Sequence, residues 1–298
     1  GDVYKRQVQK KAVQLTFHRC DGSTWQKTTL AKGSSYSLPG VRDAEGYTFM
    51  GWSTKPMQSV SPQYEAEEKI TVNGNVDLYA VVFNRTTETD LTEDQLPQVD
   101  IYKYKQVIFV GDSRTEFMEN VLTGMGESAT KNVKFVCSAG KGLDWFTTTG
   151  WAQLYSIVQH DSNSILSKKT AVIFNFGVND LSKSADYAEY YNWIAPQLKS
   201  KGCELYFMSV NPVNRLMLPN AGRADRSEAA VRSFNQYMKA NLSSAYTYID
   251  MYSYLKSTGY SFASDHYGTG TVDDGLHYTT RTYKRIFAKC MDSLRVPA

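Results

Sequence analysis

A chain of 298 residues with 42% apolar and 21% charged residues can form one large domain or two ordinary ones, and its composition excludes a disordered chain or a coiled coil. Lysine plus arginine exceed aspartate plus glutamate by 33 to 30, a net charge of +3 with no basic tail, which argues against nucleic acid and anionic membrane as default partners. The 21 tyrosines and 5 tryptophans leave carbohydrate or aromatic ligands open beside ordinary sheet surface.

In chain order, GDVYKRQ at positions 1–7 is polar, lacks the apolar segment of a signal peptide and resembles translated sequencing adaptor. The natural N-terminus, with any export signal, is therefore expected to be missing. Between 12 and 83 run short β-rich segments, AVQLTFHR (12–19), SYSLPG (35–40) and VDLYAVVF (76–83), separated by glycine and asparagine turns. The acidic run YEAEEKI (64–70) is the one candidate for a short helix there. TTETDLTEDQLPQ (86–98), polar and holding Pro97, reads as a linker or the cap of a short helix. The expected division is 12–84, a linker at 85–100, and 101–298, with the last part folding alone from about residue 99.

From 105 the rhythm changes to alternating strands and helices. KQVIFVG (105–111), VKFVCSAG (133–140), TAVIFNFGVND (170–180) and CELYFMSVNP (203–212) are apolar strands, followed by a short TYID strand at 247–250. Helical stripes separate them: Phe117, Met118, Val121 and Leu122; WAQLYSIV (151–158); Tyr187, Tyr191, Ile194 and Leu198 within 185–199; and Val231, Phe234, Met238 and Leu242 within 226–242. A last helix aligns Tyr283, Ile286, Phe287, Cys290 and Leu294. Apolar strands alternating with amphipathic helices predict a parallel sheet covered on both faces, with active groups at the carboxyl ends of the strands. Cys20, Cys137, Cys203 and Cys290 form no CxxC pair, which argues against a zinc cluster or thioredoxin-like chemistry, and the last three are expected as buried thiols. No apolar stretch of 18 residues exists to span a membrane.

Four polar groups fall at the predicted strand ends. Gly111-Asp112-Ser113-Arg114 follows the first strand, so the Ser113 hydroxyl can stand at the sheet edge beside free helix amides; taken alone, Asp112 or Ser113 is equally a helix cap. Asp274 and His277 lie three apart before the last helix, letting the carboxylate hold one ring nitrogen and free the other for a serine. His18, His160 and His266 lack such a partner. Asn179, in Gly177-Val178-Asn179-Asp180, offers a side-chain amide to an oxyanion, and a glycine amide of Ser138-Ala139-Gly140-Lys141-Gly142 completes the donors. Each has a plain turn or cap reading by itself; together they supply nucleophile, base, orienting acid and oxyanion donors.

With these four blocks in this order, residues 105–296 resemble the SGNH hydrolases, also called GDSL esterases and lipases. Gly111-Asp112-Ser113 matches the nucleophile block, Gly142 the block-two glycine with Gly140 as the alternative, Gly177 to Asp180 the GxND block and Asp274 to His277 the DxxH block. Arg114 stands where the plain GDSL string has leucine, as in a bacterial subgroup reading GDSR. The resemblance implies a flavodoxin-like three-layer α/β/α sandwich, a catalytic triad of Ser113, Asp274 and His277, and an oxyanion hole of the Ser113 and Gly142 amides with the Asn179 side chain. It calls for no metal and no cofactor. The G-x-S-x-G elbow of α/β-hydrolases is absent.

Residues 12–83, with Gly46-Tyr47-Thr48-Phe49-Met50-Gly51-Trp52 as their clearest string, resemble the InlB B-type (Listeria-Bacteroides) repeat of bacterial surface proteins. That implies a small β-grasp-like domain on a secreted or cell-surface protein; as a spacer it needs no ligand, and Trp52 reads as core. The expectation is an exported bacterial serine esterase that removes a short acyl group, acetyl foremost, from a small molecule, glycan or cell-wall polymer, with glycan or wall contact through the N-terminal domain as a possible further role. The alternatives are a lipase or thioesterase, and a non-catalytic glycan-binding or adhesion protein that retains the fold. The loop at 212–226 holds only one short apolar patch, Leu216 to Leu218, which favours a short acyl chain. The segment 254–272 is expected to border the pocket, with Trp145 and Tyr267 as candidate sugar platforms.

Overall fold

The computed structural model describes residues 11–158, 168–264, 270 and 272–295. GDVYKRQ, His160, His266 and Tyr267 lie outside the described residues, as does part of the segment 254–272.

The N-terminal region is a small β-rich domain. Strands β1 (Ala12–His18), β2 (Thr24–Ala31), β4 (Tyr47–Ser53) and β6 (Val76–Asn84) form one sheet in the order β2-β1-β6-β4. β1 runs antiparallel to β2 and parallel to β6. A second pair, β3 (Ser34–Ser37) and β5 (Lys69–Val72), is antiparallel. Alternation along β1 buries Val13, Leu15 and Phe17 against Leu78 and Trp52. Trp52 is wholly buried with its indole N–H donating to Pro39 O at 2.8 Å, so it is core. Residues 64–70 do not form the short helix their acidic pattern suggests. Glu67 takes a left-handed φ of 60°, and the run turns directly into β5.

The larger region alternates β7 (Tyr104–Gly111), α1 (Ser113–Met125), β8 (Val133–Cys137), the short turn α2 (Leu143–Trp145), α3 (Trp151–Val158), β9 (Lys169–Asn175), α4 (Ser184–Ser200), β10 (Cys203–Met208), α5 (Glu228–Asn241), β11 (Tyr246–Ile249), α6 (Met251–Thr258) and α7 (Thr280–Ser293). The five strands are parallel in the order β11-β10-β9-β7-β8, the flavodoxin-like arrangement, in which the chain reverses direction beside β7. Both faces of β7 are apolar. Val107 and Phe109 pack with Phe117 of α1 and Ile286 and Phe287 of α7, while Ile108 and Val110 pack with Tyr187 and Tyr191 of α4 and Val231 and Phe234 of α5. The two helical layers thus cover the sheet from opposite sides. Cys203 and Cys290 are buried free thiols, as expected; Cys137 is half-buried, its thiol 3.3 Å from the Glu119 carboxylate. Among the described residues, no helix is long and apolar enough to cross a membrane.

The stretch 85–98 differs from a free linker. It holds two single-turn 3-10 helices, Arg85–Thr87 and Glu93–Gln95, and its Glu88 is buried against Arg285 of α7 at 2.8 Å and Ser261 at 2.6 Å. The N-terminal sheet is sealed to the larger region by the same kind of contact. Met50, Val81 and Phe83 belong to the apolar cluster that includes Phe109, Leu255 and Phe287. Lys256 of α6, buried, donates to Met50 O at 2.9 Å and lies 2.8 Å from Glu65 and 3.1 Å from Glu228. Burial disfavours its charged form, and its acidic neighbours, Glu228 foremost, outweigh that and raise the ammonium well above its ordinary value. Glu65, Glu67 and Glu88 are therefore interface groups whose partners sit far along the chain.

Candidate active site

β7 ends at Gly111, and the buried Asp112 carboxylate accepts the Arg114 N–H at 3.0 Å, capping α1 so that Ser113 opens the helix. Burial pushes the Asp112 carboxyl up to about 6 against the pull of Arg114. Across the sheet edge, His277 Nε2 lies 2.9 Å from Ser113 Oγ, and His277 Nδ1 lies 2.7 Å from Asp274 Oδ2. Both residues of the pair are buried. Asp274 Oδ1 accepts the N–H groups of Leu276 at 2.9 Å and His277 at 2.8 Å, while Arg223 Nε donates to Oδ2 at 3.1 Å. Burial raises the Asp274 carboxyl, and the His277 side chain, with the backbone N–H groups of His277 and Leu276, outweighs it and holds it below the ordinary carboxylate value. His277 is below the ordinary imidazole value because burial, aided by Arg114 and Arg223, exceeds the opposing pull of Asp274. Phe117 stacks on the imidazole at 4.4 Å between ring centroids.

Asn179, after β9, also reaches this edge. Its Nδ2 donates to Lys141 O at 2.8 Å, which leaves one amide proton, and its Oδ1 accepts from Arg226 at 2.7 Å. A cleft of about 330 Å³ is lined by Ser113, Asn179, His277, Gly140, Arg223 and Arg226, among others. Gly142 is not among the lining residues. It starts α2, packed so closely on the Asp180 carboxylate, which accepts the Leu143 N–H at 2.9 Å, that a Cβ would collide with it. The structure thus brings Ser113, His277, Asp274 and Asn179 together and places Gly140 nearer the cleft than Gly142.

Trp145 packs against Phe176 at 6.0 Å, a core contact. His18 stands away from the cleft, with its Nε2 2.7 Å from Asp77 in the N-terminal sheet and its Nδ1 3.1 Å from Gly22 O, so neither nitrogen faces a serine. Three arginines gain a role that the sequence did not show. Buried Arg114 donates to the carbonyls of Leu276, Asn211 and Pro212, each at 2.9 Å, tying α1 to the loop after β10 and to the loop carrying His277. Arg223 and Arg226 orient Asp274 and Asn179. Only Arg114 had a local signal, its place beside Ser113.

Residues 107–290 match the family described as GDSL-like Lipase/Acylhydrolase, and residues 14–81 match the Listeria-Bacteroides repeat domain. No curated protein matches the chain. Among solved structures, a Slackia heliotrinireducens protein provisionally described as an SGNH hydrolase superposes with a TM-score of 0.46 at 13% identity, over 64% of this chain and 100% of that one. An acetyl xylan esterase gives 0.42 at 12% identity, over 64% and 100%. A Bacillus subtilis protein gives 0.41 at 12% identity, over 96% and 98%.

Proposed function

Since the chain belongs to the GDSL-like lipase/acylhydrolase family across residues 107–290, we propose that it is a serine esterase cleaving short acyl esters, acetyl foremost, carried by a glycan or cell-wall polymer outside the cell. The observation that carries this reading is the unbroken line from Asp274 through His277 to Ser113, with both ring nitrogens engaged at 2.7 and 2.9 Å.

In the proposed reaction, His277 Nε2 removes the Ser113 proton as Oγ attacks the ester carbonyl. Asp274 holds the tautomer with the proton on Nδ1 and stabilises the imidazolium that forms. The tetrahedral oxyanion is received by the Ser113 N–H, the remaining Asn179 amide proton and a block-two glycine N–H, from Gly142 or from Gly140. Arg226 on Asn179 Oδ1 fixes which edge of that amide faces the oxyanion. The imidazolium then protonates the departing alcohol, and water, activated by the same nitrogen, releases the acid from the acyl-enzyme.

A short acyl chain is supported by the cleft itself, whose apolar side chains include Phe117 and Leu276 beside two arginines. A series of 4-nitrophenyl esters should give its highest kcat/KM at acetyl or propionyl and fall with chain length, with acetate released from acetylated xylan or peptidoglycan. An optimum at octanoyl or longer would assign the protein to lipases or thioesterases instead. No turnover of any ester would favour an adhesion protein.

A further inference from the structure

We propose that the N-terminal repeat is a positioning element of the active site, with Arg85 gripping the turn that carries Asp274 and His277. This rests on the proposed role of His277 as base. Arg85 Nη2 donates to Asp43 at 2.9 Å and to the Asp273 carboxylate, immediately before Asp274 in the chain. Asp43 is almost wholly buried, and Asp273 and Arg85 are mostly so. Arg85 Nε donates to Thr48 Oγ1 at 2.9 Å, and that hydroxyl donates to Tyr260 O at 2.8 Å, which fixes the guanidinium.

The same turn is held on its other side through two asparagines that the repeat orients. Asn214 donates through Nδ2 to Asp43 at 2.8 Å and to Val41 O at 3.0 Å, and its N–H donates to Gly275 O at 2.8 Å. Asn220 donates to Asp273 O at 3.0 Å while accepting from Arg42 at 2.7 Å. Gly275, at φ 64°, packs so close to Asn214 O that a side chain would collide with it. The turn 273–275 is therefore fixed at its carboxylate and at two carbonyls, each time through Arg42, Asp43 or Arg85. Burial and the neighbouring Asp273 push the Asp43 carboxyl well above the ordinary carboxylate value, with Arg85 opposing them; without Arg85 the Asp273 carboxylate would lose its charged donor where little solvent can replace it, and the turn would shift. A shift of the order of 1 Å in the base costs roughly 100-fold in rate.

The test compares full-length Arg85→Met, Arg85→Lys and Glu88→Gln. Glu88 is a buried interface carboxylate that contacts Arg285, Ser261 and Thr282 and none of the 273–277 turn. Arg85→Met is expected to lose roughly 10- to 100-fold in kcat on 4-nitrophenyl acetate with KM little changed. Arg85→Lys should recover most of it, and Glu88→Gln should lower Tm with kcat retained. The proton NMR resonance of the His277 Nδ1 hydrogen should move in Arg85→Met and stay in Glu88→Gln. If Arg85→Met does not fold, Arg42→Met, which releases the Asn220 arm together with the Leu216 carbonyl and leaves Arg85 on Asp273, takes its place in the same comparison. Equal kcat in Arg85→Met and Glu88→Gln, with an unmoved His277 resonance, overturns the proposal. A wild-type protein that turns over no ester, yet whose His277 resonance responds to Arg85, would refute the esterase reading and leave the positioning role standing.

Discussion

Replacing His277 with alanine should leave the protein folded and reduce kcat/KM on a soluble acetate ester by at least about 10,000-fold. Among the described residues, its Nε2 is the one base within hydrogen-bond reach of Ser113 Oγ. Asp274→Asn should cost on the order of 1,000- to 10,000-fold, because an amide at Oδ2 can present N–H to the imidazole and favour the wrong tautomer. The pH profile carries the sign. The imidazolium has no lone pair for the serine proton, so kcat/KM rises as pH passes upward through the His277 pKa. That value is held below the ordinary imidazole value by burial, which places the acid limb under about pH 6.5, followed by a plateau. Asp274 opposes that depression, so in Asp274→Asn the limb of the residual activity should move further toward acid. Profiles of kcat/KM from pH 4 to 9, with circular dichroism as the fold control, check both points. Unchanged kcat/KM in both variants, or an acid limb above pH 7, would contradict the assignment.

A chain starting at residue 99 should fail to fold stably, and one starting at residue 85 should lose less. Cutting at 99 removes Glu65 and Met50 O from Lys256 and removes Glu88 from Arg285. Breaking a buried pair on one side costs about 3–5 kcal/mol, against a total domain stability of about 5–15 kcal/mol. It also uncovers the apolar cluster under Met50, Val81 and Phe83. Retaining 85–98 keeps Glu88 on Arg285, Ser261 and Thr282. Thermal unfolding of the two truncations beside the full chain measures this, and a cooperative transition near the full-length Tm for the chain from 99 would show that the regions are independent.

The polar pattern of 86–98 suggests that independence, whereas the contacts of Glu88 and Arg85 argue for the opposite result. Local sequence reports whether a segment is polar, and the partners that bury Glu88 and Arg85 stand some 190 residues away on α7 and the 273 turn. Nothing periodic marks such pairs. The same blindness made YEAEEKI look helical, although Glu65 and Glu67 face Lys256 and the Ala229 N–H across the interface. By contrast, β7, β9 and β10 are legible because a parallel strand buried on both faces must be apolar throughout, and α1, α4, α5 and α7 because one face must be. Ser113, Asn179, Asp274 and His277 are legible because each lies at the end of such a strand or beside its neighbour in the chain. The block-two glycine is less so, since Gly140 and Gly142 stand two apart in the same turn, and only the fold shows that Gly140 lines the cleft while Gly142 packs on Asp180.

The most direct test of the central claim is labelling with a fluorophosphonate probe followed by mapping of the modified peptide by mass spectrometry. An activated serine beside His277 should be labelled stoichiometrically at Ser113 in the native protein, and Ser113→Ala should take up none. Full labelling of Ser113→Ala, or modification of the native chain at a residue other than Ser113, would contradict the account.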